Sequence, residues 1–396
     1  MLLVGFALVP PALLWVGAVT PVTISIIKPR EMTIPDYTNI TLLKEYPSEL
    51  DAQGPSVRNM KGFFTFSPAV QYTGKLLASA ASASTVDRSS HRSLKFGTSG
   101  YTYAGRSYGV GASVGLFDDD IERDITITDY AYSEPGYYSV INCDYPSNPN
   151  FTLSRIDYGY NLYAAAGYLP DSTCGPEYSE YLGHAMDTIV AMGVSHCEDS
   201  PRQYVAIAAG KLYSTLDGIL CTVDFVPISF SVAVNIAARS ISVTPIHSPR
   251  RDINLARNLT RALMRQFELL TNDETNMYVS QVGNAFNASI AAYKMAQGMN
   301  TFMTEAEATL SGVSNALTAM ADDLLVSYGS AQLMVGNFTQ ATSGLVRVTA
   351  LKLGQPLNVI VIFTLNTIML LLLSFDILPV FAEEGSSALI ASVEGQ

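Results

Sequence analysis

The chain has little charge, and that shortage excludes one class of function. Charged residues make up 15% of its 396 residues, well below the roughly one quarter that is usual in soluble proteins. The net charge is −12, from 23 Lys and Arg against 35 Asp and Glu. Such a chain repels phosphate backbones instead of gathering them. We therefore exclude nucleic acid as a partner.

Histidine is too scarce and scattered for a metal site. The four histidines, none in an HExxH or comparable arrangement, are His91, His184, His196 and His247.

The acidic stretch from Asp118 to Asp124 lacks the spacing of an EF-hand loop, and we interpret it as a solvated acidic turn. Gly109-Val-Gly111 lacks the strand–loop–helix context of a phosphate-binding loop. We predict no metal, no cofactor and no catalytic residue.

An uncharged apolar run near the C-terminus organises the chain. Residues 353–375 carry no charge, and a helix of that length crosses a hydrocarbon core of roughly 30 Å at about 1.5 Å per residue. A helix also satisfies every backbone amide inside the bilayer. We predict a transmembrane helix over residues 354–376 and a short acidic tail over 377–396. A buried helix of a soluble core is the alternative.

A second apolar run opens the chain. Residues 1–27 contain no charge and end at Lys28. The run has no basic residue at its start, and Pro10-Pro11 interrupts it, which is unusual for a secretory signal. We predict an uncleaved transmembrane segment over residues 1–27, with a cleaved signal sequence as the alternative.

The cysteines are few and clustered. The four candidates for disulfides are Cys143, Cys174, Cys197 and Cys221. An even number confined to one segment favours two disulfides in an oxidising compartment, with three connectivities open. Four buried free thiols are the alternative.

Five Asn-x-Ser/Thr sequences support the same compartment. The N-glycosylation candidates are Asn39, Asn150, Asn258, Asn287 and Asn337. Their spread between the two apolar runs is typical of a large extracellular or luminal region that carries glycans. The charges flanking the runs point the other way, because Lys28, Arg30, Arg347 and Lys352 lie on the middle side. The positive-inside rule would place that side in the cytoplasm, but it weakens for long translocated domains.

The middle of the chain divides into a β-rich and a helical part. Residues 30–250 contain alternating apolar runs, as in Tyr204–Ile246, and predict a disulfide-containing, largely antiparallel ectodomain. Within it, the Ser- and Ala-rich residues 78–90 are interpreted as a loop. Residues 251–346 carry apolar residues at helical spacing and predict a helical hairpin or stalk. It packs within the chain or, alternatively, on a second copy as a homo-oligomer.

Two clusters are candidates for recognition or chemistry. Twelve of the 22 tyrosines lie between Tyr101 and Tyr168, where they either pack on a sheet or present rings and hydroxyls to carbohydrate. One polar cluster brings acid, base and hydroxyl groups to helical spacing, with Glu180 and His184 four residues apart. Its members are Glu177, Glu180, His184 and Asp187.

Three stretches resemble a known set of sequences. They are Ala12-Leu-Leu-Trp-Val-Gly-Ala-Val-Thr-Pro21, Glu177-Tyr-Ser-Glu-Tyr-Leu-Gly-His184 and Met264-Arg-Gln-Phe-Glu-Leu-Leu-Thr-Asn-Asp273. In these, the chain resembles uncharacterised multi-pass membrane proteins of filamentous fungi. The resemblance implies further transmembrane helices before the first run, a large outer domain and a last span, so we expect a short gene model or a truncated member. It implies no activity.

Together these patterns predict an α+β glycoprotein. Its antiparallel β-rich ectodomain is followed by a helical region and flanked by N- and C-terminal transmembrane helices. We expect an integral membrane protein of the plasma membrane or secretory pathway with the middle region outside or luminal. Its role would be adhesive, structural or sensing without catalysis, with the bilayer and either carbohydrate or another membrane protein as partners. The alternative is a membrane-tethered enzyme acting on cell-wall carbohydrate.

Overall fold

The protein is α+β, with a large, mostly antiparallel sheet followed in sequence by helices. The computed structural model describes residues 21–36, 56–58, 64–66, 69–84, 92–95, 100–116, 118–170, 175–195, 202–246, 257–298, 303–336, 339–353, 357, 359–368 and 371. The predicted α+β class and the order of its two parts are thus confirmed.

Two long antiparallel strands, far apart in the sequence, form the centre of the sheet. Strand β6 (Ile127–Asp144) pairs antiparallel with the whole length of β12 (Leu220–Asn235). Buried and more exposed residues largely alternate along both strands, as expected for a sheet with one covered face. The pairing places Cys143 directly opposite Cys221, and the two form a disulfide.

Fourteen strands are seen in the described residues. Besides β6 and β12 they are β1 (Pro21–Pro35), β2 (Ser56–Arg58), β3 (Phe64–Phe66), β4 (Arg92–Leu94), β5 (Thr102–Ala104), β7 (Phe151–Asp157), β8 (Leu162–Gly167), β9 (Glu177–Leu182), β10 (Val190–Val194), β11 (Gln203–Ala209), β13 (Ser240–Pro245) and β14 (Thr339–Leu353). The main sheet has the order β1-β14-β6-β12-β13-β5-β4, and β11 joins β10 to β12. Strands β7-β8-β9 form a separate antiparallel sheet, and β2-β3 form a third.

The helices are concentrated after the β-rich region. Besides the helical residues 357, 359–368 and 371, the described α-helices are α1 (Ala69–Ser82), the single turn α2 (Asp119–Glu122), α3 (Arg257–Thr271), α4 (Gln281–Ala296) and α5 (Glu305–Ala331). Ser280 caps the start of α4. At the start of α5, Thr304 and Glu307 form a capping box, which satisfies two of the free amide groups of the first turn.

Strands β10 and β11 lie between two hydrophobic cores. Val190, Met192 and Ile207 belong to a core shared with helices α1, α3, α4 and α5. The neighbouring residues Ala191 and Ala206 face a second core with β7, β8 and β9. These strands are therefore buried on both faces, which explains their nearly continuous apolar sequences.

A glycine-rich loop, residues 105–116, fits between the main sheet and α5. A Cβ atom at Gly109 would lie 2.5 Å from the Cβ of Leu325 on α5. A Cβ at Gly136 on β6 would lie 2.5 Å from Cγ1 of Val110 in the loop. Both positions require glycine because the loop backbone is packed closely on each side, and Gly109 also has a φ of +75°.

Three segments differ from the sequence prediction. Residues 69–82 are helical, although the Ser- and Ala-rich stretch from 78 was interpreted as a loop. Residues 339–346, predicted as helical stalk, belong to strand β14. Residues 21–27, predicted as the end of a membrane segment, belong to β1, where β-branched residues favour an extended backbone.

The predicted membrane segments are only partly covered. Residues 357, 359–368 and 371 are helical, whereas residues 1–20 and 377–396 lie outside the described part of the chain. No helix among the described residues is both long enough and apolar enough to cross a bilayer. The chain divides into two compact units, residues 28–347 and residues 1–27 with 348–396.

Candidate functional site

The tyrosines fall into two groups that the sequence does not distinguish. Tyr101, Tyr103, Tyr130, Tyr132 and Tyr163 are almost fully buried and pack inside the molecule. A second group is exposed on and around the small sheet β7-β8-β9: Tyr158, Tyr160, Tyr168 and Tyr178. Sheet packing explains the first group but not the second, because the rings of the second group contact solvent.

The outer face of the small sheet is open to solvent. In the strand register, Tyr178 lies opposite Ala166, Glu180 opposite Ala164, and Leu182 opposite Leu162. Tyr178 is 54% and Leu182 58% exposed. Small residues on the central strand leave this face shallow, with larger apolar side chains on the strand beside it.

The β7–β8 hairpin carries two further exposed rings. Tyr158 is 78% and Tyr160 80% exposed. Arg155 holds the hairpin, since its guanidinium lies 4.1 Å from the Tyr158 ring centroid and donates to the Tyr158 carbonyl oxygen and to Oδ1 of Asn161. We call the exposed set Ile156, Tyr158, Tyr160, Tyr178 and Leu182 the tyrosine surface.

The predicted polar cluster does not form at helical spacing. Residues 177–182 are strand β9, so Glu177 is buried on the inner face and Glu180 is exposed on the outer face. His184 lies in the following loop, and Asp187 lies in a 3₁₀ turn, both exposed. The strict alternation of buried and exposed residues along EYSEYL is a strand pattern. Of the four residues, only Glu180 contacts the tyrosine surface, where it accepts a hydrogen bond from Tyr178 Oη at 2.9 Å.

A second polar site surrounds Arg106 in the glycine-rich loop. Its Nε and Nη2 donate to the two carboxylate oxygens of Asp322 on α5, at 2.5 and 3.0 Å. Nη2 also donates to the carbonyl and hydroxyl oxygens of Ser139 on β6. The guanidinium lies 4.5 Å from the ring centroid of Tyr108 and 4.7 Å from that of Tyr138. This arrangement joins loop, sheet and helix.

A small cleft adjoins that ion pair. It has a volume of about 70 Å³ and is lined by Ser79, Gly105, Arg106, Asn315, Asp322 and Asp323, among others. Burial raises the pKa of Asp323 to about 7, against a hydrogen bond with Ser79 that acts in the opposite direction. The cleft therefore combines one paired carboxylate with one that takes up a proton near neutral pH.

A third polar group is enclosed between the loop and the sheet. Burial raises the pKa of Glu134 to about 7, although the Gly111 amide donates to its Oε2 at 2.9 Å. Burial lowers the pKa of Lys95 to about 8, and within the described residues its ammonium has no hydrogen-bond partner. Asp118 is buried and accepts hydrogen bonds from Gly115 N and Tyr130 Oη.

The acidic stretch is thus not simply a solvated turn. Asp118 is internal, whereas Asp120 is exposed and pairs with Arg30. The Asp118 carboxylate faces the interior, where it accepts a hydrogen bond from the backbone amide of Gly115 at the end of the glycine-rich loop. In the part of the chain that the structure describes, no group of three or more His, Cys, Asp or Glu side chains could hold a metal ion.

The cysteine and glycosylation predictions are covered only in part. Cys143 and Cys221 are joined, while Cys174 and Cys197 lie outside the described residues. Among the sequons, Asn150 and Asn287 are exposed, Asn258 lies in α3, and Asn39 and Asn337 fall outside the described residues. The exposed pair is accessible to a modifying enzyme.

Comparisons with known proteins add no further constraint. No family model, curated protein or solved structure matches the chain. The site must therefore be interpreted from its own geometry.

Sequence reasoning missed the Arg106–Asp322 pair and the buried Glu134. Both depend on contacts between positions far apart in the chain, 216 residues in the case of Arg106 and Asp322. The one available signal was acidic residues inside otherwise apolar segments, such as Asp322 and Asp323 within α5. A charged residue at a core position of an amphipathic helix predicts a buried partner.

Proposed function

We propose that this protein is a membrane-anchored glycoprotein whose extracellular or luminal region recognises carbohydrate without catalysis. The tyrosine surface is the observation that carries the proposal. Several exposed rings on one small sheet and its β7–β8 hairpin are more than scattered surface apolarity, and exposed apolar patches mark interaction sites. The family resemblance in three sequence stretches agrees with the topology but adds no activity.

Carbohydrate suits this surface better than an apolar partner. Tyrosine offers a flat apolar ring, on which the C–H face of a pyranose can pack, and a hydroxyl for hydrogen bonding. Glu180, on the same outer face, accepts from Tyr178 and has a second oxygen for sugar hydroxyls. Since the rings stand on strands and a hairpin held by Arg155, little conformational entropy is lost on binding.

The membrane part of the proposal draws support from the described residues 359–368. Around the helix 359–368, apolar side chains are exposed on several sides, including Ile360, Phe363 and Leu365. The hydroxyls of Thr364 and Thr367 donate to carbonyl oxygens four residues earlier, at 2.7 and 2.8 Å. An apolar helix that satisfies its own polar groups suits a lipid environment.

The internal carboxylates favour a structural role over a catalytic one. Asp322 is held by Arg106 and Ser139, and Glu134 is enclosed completely. The cleft of about 70 Å³ is far smaller than the roughly 300–1,000 Å³ typical of ligand pockets. These groups tie the loop to the sheet and to α5 and leave little room for a sugar ring.

The test is a binding assay with the purified full-length protein in detergent, on cell-wall polysaccharides and on an immobilised glycan panel. Tyr158→Ala with Tyr160→Ala should lower affinity for the bound glycan at least about tenfold, from about 1.4 kcal/mol of lost ring contact. Tyr158→Phe, which keeps the ring, should bind nearly as wild type. Met295→Ala removes an equally exposed side chain from α4 and serves as the control. Wild-type-like binding by the double alanine variant would reject the tyrosine surface.

The enzyme alternative has one observation in its favour, the protonatable Asp323 beside the Arg106–Asp322 pair. If the cleft hydrolysed a glycan, Asp323→Asn would abolish product formation while binding persisted. Glu180→Gln and Asp187→Asn extend that test to the sequence-predicted cluster. Loss of a glycan-degrading activity in any of the three would replace the non-catalytic proposal.

A further inference from the structure

An apolar pocket lies beside the glycosylation candidate Asn150. Its volume is about 150 Å³, and Asn150 is itself one of its lining residues. The principal apolar side chains around it are Pro146, Pro149, Phe151, Tyr168, Leu169 and Pro170. The pocket is separate from the tyrosine surface and has no role in the function proposed above.

The backbone fixes Asn150 at the edge of this pocket. Strand β7 starts at the next residue, Phe151, which pairs with Gly167 on β8. A Cβ atom at Gly167 would lie 1.7 Å from the carbonyl oxygen of Asn150, so only glycine permits this approach. The acceptor asparagine is therefore held against β8 before any sugar is attached.

Asn150 and Tyr168 lie at the same end of the β7–β8 ladder. The last pair of that ladder is Phe151 with Gly167, so Asn150 and Tyr168 are the next residues beyond it, and both line the pocket. Asn150 is exposed, and Tyr168 is 59% exposed, so both side chains extend into solvent.

We propose that the first N-acetylhexosamine of a glycan on Asn150 packs against the Tyr168 ring and covers the apolar pocket. The sugar's C–H face matches the ring, and its acetamido methyl matches the proline- and leucine-lined pocket. The glycan then stabilises the β7–β8 edge as an intramolecular ligand. This inference rests on the proposed extracellular or luminal placement, because the modification occurs only there.

The experiment uses the full-length protein made in a eukaryotic secretory host, with glycopeptide mass spectrometry and thermal unfolding. An endoglycosidase that leaves one sugar on asparagine should keep the wild-type Tm. An amidase, which releases the whole glycan and leaves aspartate at position 150, should lower Tm by about 2–4 °C, in the range of a single contact of this size. Asn150→Asp, which carries the same aspartate and never had a glycan, should have the Tm of the amidase-treated protein.

A double-mutant cycle tests the contact itself. Asn150→Gln and Tyr168→Ala should each lower Tm, and the double variant should be no worse than either, because both remove the same contact. Thr152→Ser keeps the glycan acceptor sequence and should behave as wild type. Asn287→Gln removes a glycan from the exposed face of α4 and should leave the Tyr168 effect unchanged.

The outcomes separate this inference from the proposed placement. If no asparagine carries a glycan, the extracellular placement fails, and the inference fails with it. If Asn287 is glycosylated but Asn150 is not, only the inference is overturned. The same holds if Tyr168→Ala lowers Tm equally with and without the Asn150 glycan, since the ring would then act by packing alone.

Discussion

Glu134 and Asp323 are carboxyl groups whose burial sets their protonation. Glu134 is fully enclosed and Asp323 is buried at the edge of the cleft, and the pKa of each is raised to about 7. In the unfolded chain they would ionise near their ordinary values of about 4. Between these limits the folded state binds more protons than the unfolded state, so its stability is highest at low pH and falls as pH rises towards 7.

This difference predicts the pH dependence of unfolding. Each group should contribute on the order of 2 kcal/mol at pH 5 that is lost by pH 7.5. Chemical denaturation of the wild type at the two pH values measures the sum. Asp323→Asn and Glu134→Gln should each remove one part of the pH dependence. Equal pH dependence in both variants and the wild type would show that neither group is protonated in the folded protein.

Arg106 predicts a strong dependence on side-chain geometry. Its bidentate contact with Asp322 and its two contacts with Ser139 require the planar guanidinium. Arg106→Lys keeps the charge but should lower the free energy of unfolding by about 2–3 kcal/mol, because it leaves a buried carboxylate poorly paired.

The control for that change is an exposed pair of the same type. Arg202 and Asp224 lie 4.0 Å apart with half-exposed side chains. Arg202→Lys should change the unfolding free energy by less than about 0.5 kcal/mol. Similar losses in the two variants would contradict a special role for the Arg106 contacts.

At the scale of elements, the β6–β12 pair is the best-defined unit. The disulfide Cys143–Cys221 joins directly opposed residues near one end of that pair. Replacing both cysteines with serine should lower the free energy of unfolding by about 2–4 kcal/mol. Reduction of this disulfide should lower the free energy of unfolding of the wild type by a similar amount. The double serine variant has no such disulfide to lose, so reducing agent should change its stability little. No loss in the serine variant would show that the strands hold their register without it.

The sequence predicted elements where one local pattern dominates. Alternation in Tyr204–Ile246 correctly indicated β11, β12 and β13, and the helical spacing after residue 251 indicated α3 to α5. The secondary-structure prediction is wrong where it relies on composition alone. The Ser- and Ala-rich residues 78–90 predict a loop, but residues 78–82 complete α1, because alanine is the strongest helix former. The four-residue separation of Glu180 and His184 predicts a shared helical face, but residues 177–182 form strand β9.

The candidate site was less predictable than the fold. The sequence indicates the tyrosine-rich segment, but the exposure of Tyr158 and Tyr160 in the β7–β8 turn and the burial of Tyr103 in β5 depend on tertiary packing. Local sequence does not specify that packing. One of the three possible cysteine pairings involved Cys143 with Cys221, and only the β6–β12 register selects it.

At the scale of the whole molecule, membrane anchorage by residues 354–376 remains a prediction. A charge at the centre of a spanning helix costs about 2.5–3.5 kcal/mol. Phe363→Arg, at an exposed position of the helix 359–368, should therefore increase the fraction of protein released from membranes by alkaline carbonate. Thr364→Ser should not. Complete release of the wild type under these conditions would contradict the anchor.

The central claim is that the middle region lies outside the cell or in the lumen. The basic residues that flank this region predict the opposite side, so its location is tested directly. Protease treatment of sealed membrane vesicles, with the fragments identified by mass spectrometry, measures that side. In microsomes, whose interior is the lumen, we predict that residues 28–347 resist cleavage until detergent is added. Cleavage of this unit before detergent addition would place it in the cytoplasm, and both the glycan contact at Asn150 and carbohydrate recognition outside the cell would be wrong.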